Sequence, residues 1–358
     1  MDDRIKKHAQ ILCDWSTDIK EGDKVIIRAH PSAYELVLAL YKELGARKAK
    51  PVTIMNSNET NRTYMLEHGE GFETPEHLVS LVEASDAFIS IIGDDNLSSM
   101  AEVPGDILSS FARANQPLMN LLANMRVCLT QFPTPSQAQF AGMSLEDYKN
   151  FVYNSIIRDW QEVHDMQELL REKLSDTDEV CIEGPDTELY LSVKGMNPVN
   201  SDGKRNLPSG EVYVAPIPES TEGKVYFDLP VVQSGREIHG VRLEFEGGEV
   251  VDHSSETHEE LLTSILDTDE GSRRLGELGI GTNRDINRFT RNMLFDEKMG
   301  DTIHLALGYA VPISVGEGLE GNVSAVHIDI IKNMKEGKMA FDGDTVMEEG
   351  TFFWEKKA

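Results

Sequence analysis

Through the first 140 residues, short apolar runs alternate with amphipathic stretches. Lys24-Val-Ile-Ile-Arg28, Pro51-Val-Thr-Ile-Met55, Ala87-Phe-Ile-Ser-Ile-Ile92 and Arg126-Val-Cys-Leu-Thr130 are too short and too continuous in apolar character for helices, and predict strands. Between them, Ala33 to Leu44, Pro75 to Ala84 and Pro104 to Ala114 carry helical spacing, two of them opened by a proline at a tolerated position. Strands separated by helical segments of this length imply parallel crossovers and a doubly wound sheet. No glycine follows the first strand, which continues Arg28-Ala-His-Pro-Ser, so this α/β half lacks the phosphate loop of a dinucleotide site.

Pro133-Thr-Pro135 ends the alternation, and a polar helix is expected over Ser144 to Leu174. Beyond Glu179 the chain changes to short β-like runs closed by turn residues, namely 180–184, 188–193, 211–215, 224–227 and 241–245. The expected organisation is an open α/β domain over 1–143, a bridging helix over 144–178, and an antiparallel-rich α+β domain over 179–358 that holds the chemistry.

Composition narrows the class of partner. The net charge of −28 gives a nucleic acid no basic footprint to displace counterions. No apolar run approaches the ~20 residues of a membrane helix. The N-terminal segment MDDRIKKHAQILCDW is too interrupted for a signal peptide, and a cytoplasmic location is expected. Cys13, Cys128 and Cys181 form no pair motif and read as reduced, buried thiols.

The candidate chemistry lies in the last 150 residues. Thr302-Ile-His304-Leu-Ala-Leu-Gly308 and Ser324-Ala-Val-His327-Ile-Asp329-Ile-Ile331 place histidines in apolar strands. Alternation puts His327 and Asp329 on one face, ~6.5–7 Å apart along the strand. Such groups are costly to bury unless something satisfies them; a hydrogen-bonded His–Asp pair would do so, and so would a metal ion. Two glutamates stand in comparable settings. Glu211 sits between a Pro-Ser-Gly turn and an apolar strand, and Glu277 lies among glycines in Leu275-Gly-Glu-Leu-Gly-Ile-Gly281. Small neighbours allow close approach of a backbone or a ligand. Elsewhere, His253 and His258 read as a solvated turn and helix start, Arg273 and Arg274 as surface-paired cations, and Asp296-Glu-Lys298 as structural.

In order, the segments NLPSGEVYVAP, LGELGIGTN, FDEK-x-GDTIHLALG and SAVHIDI resemble the signature blocks of metallo-aminopeptidases of the aminopeptidase T/aminopeptidase S type. Asp186-Thr-Glu188-Leu also resembles the family's segment ahead of the first glutamate. The resemblance implies five metal ligands, Glu211, Glu277, His304, His327 and Asp329, holding two divalent ions of zinc, cobalt or manganese. It implies catalytic parts for Glu211, Glu277 and Tyr309, hydrolysis at the N-terminus of short peptides, and a homodimer. One departure concerns the tyrosine. The family carries it where this chain has Val311, and Tyr309 would share that face if the strand continued. The connection between His304 and His327 also looks shorter than in the longer peptidases.

Two other readings remain at this point. His304, His327 and Asp329 form a 2-His-1-carboxylate set, as in non-haem Fe(II) oxygenases, and 2,5-dihydroxypyridine dioxygenase resembles the same fold. A non-catalytic, metal-dependent scaffold is the third.

Overall fold

The computed structural model describes residues 2–233 and 235–355, so the last three residues of the expected catalytic domain, 356–358, lie outside it. The chain forms two compact units, one of residues 1–160 with 203–209 and one of residues 161–202 with 210–358.

The first unit is built on β1 (Lys24–Ala29), β2 (Lys50–Met55), β3 (Ala87–Ile92) and β4 (Arg126–Gln131). All four are parallel, in the order β2-β1-β3-β4. Val25, Ile26 and Ile27 are buried on both faces of β1, which is why the strand is an unbroken apolar run. Around the sheet lie α1 (Asp3–Ile11), α2 (Tyr34–Ala46), α3 (Asn58–His68), α4 (Glu76–Glu83) and α5 (Gly105–Ala123). Helix α5 runs past the expected end at Ala114 and carries Pro117 in its interior. After α6 (Pro135–Phe140), the predicted long polar helix is two: α7 (Leu145–Ile156) and α8 (Trp160–Ser175). The break begins at Ile157, whose ψ of 83° leaves the helical region. There the Trp160 indole N–H donates to the Ile156 carbonyl at 2.9 Å, capping an acceptor the ended helix leaves unpaired.

The second unit is antiparallel. Strands β5 (Glu179–Gly184), β6 (Thr187–Ser192) and β7 (Val199–Ser201) open it. The chain then returns to the first unit, where β8 (Asn206–Leu207) adds to β4 in parallel. Next come β9 (Glu211–Val214), β10 (Glu222–Phe227), the hairpin β11 (Val231–Gln233) with β12 (Arg236–Ile238), β13 (Val241–Glu246) and β14 (Glu249–Ser254). Helix α9 (Glu259–Leu266) precedes β15 (Leu275–Gly281), and α10 (Met293–Asp296) precedes β16 (Thr302–Gly308). The last strands are β17 (His327–Asn333), β18 (Lys338–Phe341), β19 (Asp344–Glu348) and β20 (Thr351–Phe352).

An eight-stranded sheet, β14-β13-β10-β6-β5-β18-β19-β20, and a five-stranded sheet, β17-β16-β15-β9-β7, bury their facing apolar residues in one core. The fold is therefore α/β, a parallel-sheet part followed by antiparallel sheets, as the pattern predicted. Among the described residues no helix is long and apolar enough to cross a membrane. Cys13 and Cys128 are buried free thiols that burial pushes up to about 12, far from a reactive thiolate. Cys181 is only half-buried, because it faces outward on β5.

Candidate metal centre

The site occupies one face of the five-stranded sheet. Directly opposed residues of antiparallel strands share a face. The register pairs Glu211 with Gly281, Gly279 with His304, Glu277 with Ala306, Ala306 with Asp329, and Gly308 with His327. The alternate residues Val212, Val214, Leu278, Ile280, Ile303, Leu305, Leu307 and Ile330 enter the core on the other face. Each apolar run thus anchors its strand with one set of side chains and presents polar groups with the other. The small residues Gly279, Gly281, Ala306 and Gly308 stand among those groups on the same face. A Cβ on Gly279 would lie 1.9 Å from His304 Cε1 and 2.0 Å from Nε2, so this glycine makes the room in which the ring lies.

All five sequence-predicted ligands meet here. His304 Nε2 is 3.1 Å from Glu277 Oε1, 3.8 Å from Glu211 Oε2 and 4.0 Å from Asp329 Oδ1. His327 Nε2 is 3.5 Å from Asp329 Oδ1. Side-chain exposure is 1% for His304, 6% for Glu211, 8% for Glu277, 12% for Asp329 and 30% for His327, so the cluster opens to solvent on the His327 side.

Backbone carbonyls set both imidazoles. His304 Nδ1 lies 3.1 Å from the Glu297 carbonyl, and His327 Nδ1 lies 2.7 Å from the Tyr309 carbonyl. A carbonyl only accepts, so each Nδ1 carries the proton and each Nε2 turns its lone pair toward carboxylate oxygens. Acceptor would then face acceptor unless a cation stands between them. Two of those oxygens, Glu211 Oε2 and Asp329 Oδ1, are buried and have no hydrogen-bond partner among the described residues. Ligand atoms bound to one zinc at ~2.1 Å lie ~3.4 Å apart in a tetrahedron, and the spacings here bracket that value. The donor set, imidazole nitrogen and carboxylate oxygen, also suits zinc, cobalt or manganese. The residues fit divalent metal.

Without metal, protons take that place. Burial disfavours a charged His304, but the Glu277 hydrogen bond and the fields of Asp329 and Glu211 outweigh it and push the imidazole up to about 10. His327 is raised to about 9, burial again being overcome by Asp329. Burial pushes Glu277 up. It would raise Asp329 too, but the two imidazoles outweigh it and hold that carboxyl below its ordinary value.

Behind the candidate ligands lies a turn whose part in the site the sequence did not reveal. Asp296 accepts from the Thr290 N–H and hydroxyl, both at 2.8 Å, and fixes the turn. Glu297 supplies the carbonyl on His304. The Lys298 ammonium, 0% exposed, pairs with the Glu297 carboxylate and stands 3.5 Å from Glu211 Oε1. That leaves Glu211 Oε2 as the oxygen facing His304. Gln167 on α8 donates to the Glu211 carbonyl at 2.7 Å.

Tyr309 reaches the centre by its main chain. Gly308 has φ +99°, which ends β16, so the alternation that would place Tyr309 and Val311 on one face does not extend to them. The residue is 38% exposed. His258 does open α9, but His253 lies within β14 and contacts Thr263 Oγ1 at 2.8 Å. Arg273 and Arg274 pair with Asp267 and Glu249.

A family model described as thermophilic metalloprotease (M29) matches residues 1–352. Aminopeptidase AmpS of Bacillus subtilis is 25% identical, covering 96% of this chain and 95% of its own length. Aminopeptidase 2 of Geobacillus stearothermophilus is 27% identical over 91% of each chain. Aminopeptidase T of Thermus aquaticus is 24% identical, over 98% of this chain and 96% of its own. In fold, the chain is similar to the solved structure of wild-type AmpT from Thermus thermophilus, with a TM-score of 0.86, 23% identity, and coverage of 98% of this chain and 99% of that one. Nothing in these relatives supports the likeness to 2,5-dihydroxypyridine dioxygenase.

Proposed function

The chain belongs to the thermophilic metalloprotease (M29) family, and on that premise we propose that it is a dinuclear metallo-aminopeptidase acting on short peptides. Family membership implies use of divalent metal, and the aminopeptidase relatives support hydrolysis at a peptide N-terminus. The observation that carries the two-ion reading is the convergence of three carboxylates with two imidazoles, each imidazole fixed by its own backbone carbonyl.

Glu277, His304 and Asp329 offer ligand atoms within 4.8 Å of one another and would hold one ion. Glu211, beside His304, and His327, beside Asp329, flank that trio and would supply the remaining ligands, with Asp329 facing both imidazoles. Divalent ions so held would lower the pKa of a bound water and polarise the scissile carbonyl. The chain's own residues position and exclude. Lys298 holds one oxygen of Glu211, Glu297 and Tyr309 orient the imidazoles, and Gly279 and Ala306 leave the ligand face clear. Tyr309 is assigned to positioning His327 through its carbonyl. A three-ligand iron site would have no use for Glu211 and Glu277, yet both are buried in the cluster.

We also assign the protein to the cytoplasm, which its free cysteines support, and to a homodimer. The exposed apolar side chains of Ile313 and Val323, 56% and 78% accessible, support an apolar contact face.

Aminoacyl chromophores with free and acetylated amines test the reading. An exopeptidase that recognises the substrate amine hydrolyses the first and not the second. Equal hydrolysis of both would refute the aminopeptidase assignment while leaving the metals in place.

A further inference from the structure

The α/β unit has a cavity that the peptidase reading does not use. In a doubly wound sheet a crevice opens at the carboxyl ends of the strands where the strand order reverses. Here the order β2-β1-β3 puts that point between β1 and β3. A cavity of about 240 Å³ lies there, with Arg28, Ser90 and Leu129 from neighbouring strands, Asn58 from the start of α3 and Asp94 from the loop after β3. Arg28 pairs with Ser90, and Ser90 with Leu129, in the strand register, so the three share one face of the sheet.

Arg28 is exposed on a strand whose other central residues are buried. Among the described residues its guanidinium makes no hydrogen bond or ion pair, and neither does the Ser90 hydroxyl. Asp94 lines the same cavity, one of its oxygens accepting from Asn58 Nδ2 at 2.7 Å. The field of Asp94 acts on Arg28, yet no ion pair joins them. A cation and an anion thus share one small cavity without neutralising each other. A simple anion there would suit Arg28 and be repelled by Asp94, and a simple cation would meet the reverse. A ligand carrying both signs satisfies both, and the guanidinium fork matches a carboxylate in particular. The volume suits a molecule below drug size.

We propose that this cavity binds a free α-amino acid, its carboxylate on Arg28, its ammonium on Asp94, and Ser90 hydrogen-bonding to the carboxylate. The inference does not depend on the metal centre.

Isothermal titration of the full-length, metal-loaded protein with each proteinogenic amino acid tests it, with propionate, propylamine and inorganic phosphate as single-charge controls. At least one amino acid binds, and Arg28→Met and Asp94→Asn each weaken it by ~10-fold or more, as expected on losing a charge-assisted contact. Hydrolytic activity and metal content stay at the wild-type level in both variants. Ser90→Leu, which fills the cavity without touching either charge, abolishes the same binding and covers the case in which a charge variant misfolds. Absence of binding by every amino acid would overturn the proposal. So would binding unchanged in the variants, which places the ligand elsewhere, or equal binding of propionate or phosphate, which makes the site a plain anion pocket.

Discussion

Gly279→Ala isolates the steric logic of the metal centre in a single methyl group. Gly279 lies on β15 without a positive φ, so alanine is conformationally allowed. Taken alone, the exchange would stabilise the protein by ~0.4–1 kcal/mol through the unfolded chain. The new Cβ would, however, stand 1.9 Å from His304 Cε1 and 2.0 Å from Nε2. Restoring an ordinary contact requires the ring or the strand to shift by about 1.5 Å. His304 is 1% exposed and held by the Glu297 carbonyl and by Glu277, so it has no free direction in which to move. Overpacking of this kind costs ~1–3 kcal/mol and outweighs the entropic gain. A displacement of ~1 Å at a positioned group costs ~100-fold in rate. The variant should therefore melt below wild type, bind metal ~10–100-fold more weakly as expected for lost ligand orientation, and lose ~100-fold in kcat. Thermal unfolding, metal content after gel filtration and aminoacyl-chromophore turnover are the assays. Wild-type metal content and turnover in Gly279→Ala would refute the claim that this glycine makes room for a ligand.

Lys298→Met leaves the Glu211 and Glu297 carboxylates without their buried cation and should destabilise the metal-free protein by ~3–5 kcal/mol; superimposable melting curves with wild type would contradict this. Saturating divalent metal should recover part of that loss, since ligands bound only by the folded state stabilise it. His304 and His327 are raised from 6.5 to about 10 and about 9, so their contribution to metal-free stability is complete below the unfolded value and is lost as pH rises through about 9 to 10. Metal displaces those protons, so its apparent affinity should climb across the same window with proton release, and a calorimetric affinity flat from pH 6.5 to 9 would exclude that coupling. Light scattering should give twice the 40.0 kDa chain mass at every salt concentration; a fully active protein at the single-chain mass would rule out the dimer.

Legibility in the sequence followed burial. Strands β1 and β3 could be read because two-sided cover makes them continuous apolar runs. The strands of the candidate site could be read because Glu277, His304 and Asp329 each interrupt an apolar run. Helix α3 could not, since Met65 is its only buried residue and a Ser57–Thr60 capping box, not an apolar stripe, defines it. The two-residue strand β8 has no periodicity to detect; the Thr130 hydroxyl, donating to the Leu207 carbonyl at 2.6 Å, helps place it. The sequence marks Asp296-Glu-Lys298 as structural but not the link of Lys298 to Glu211, because the two are remote in sequence and only the fold brings them together. The reading of Tyr309 assumed a strand that Gly308 ends.

The most direct test of the central claim is the metal stoichiometry of the purified protein, measured by inductively coupled plasma mass spectrometry on wild type and on Glu211→Gln. The account predicts two divalent ions of zinc, cobalt or manganese per wild-type chain, and fewer in the variant together with loss of hydrolysis. One iron per chain, unchanged by Glu211→Gln, would contradict it.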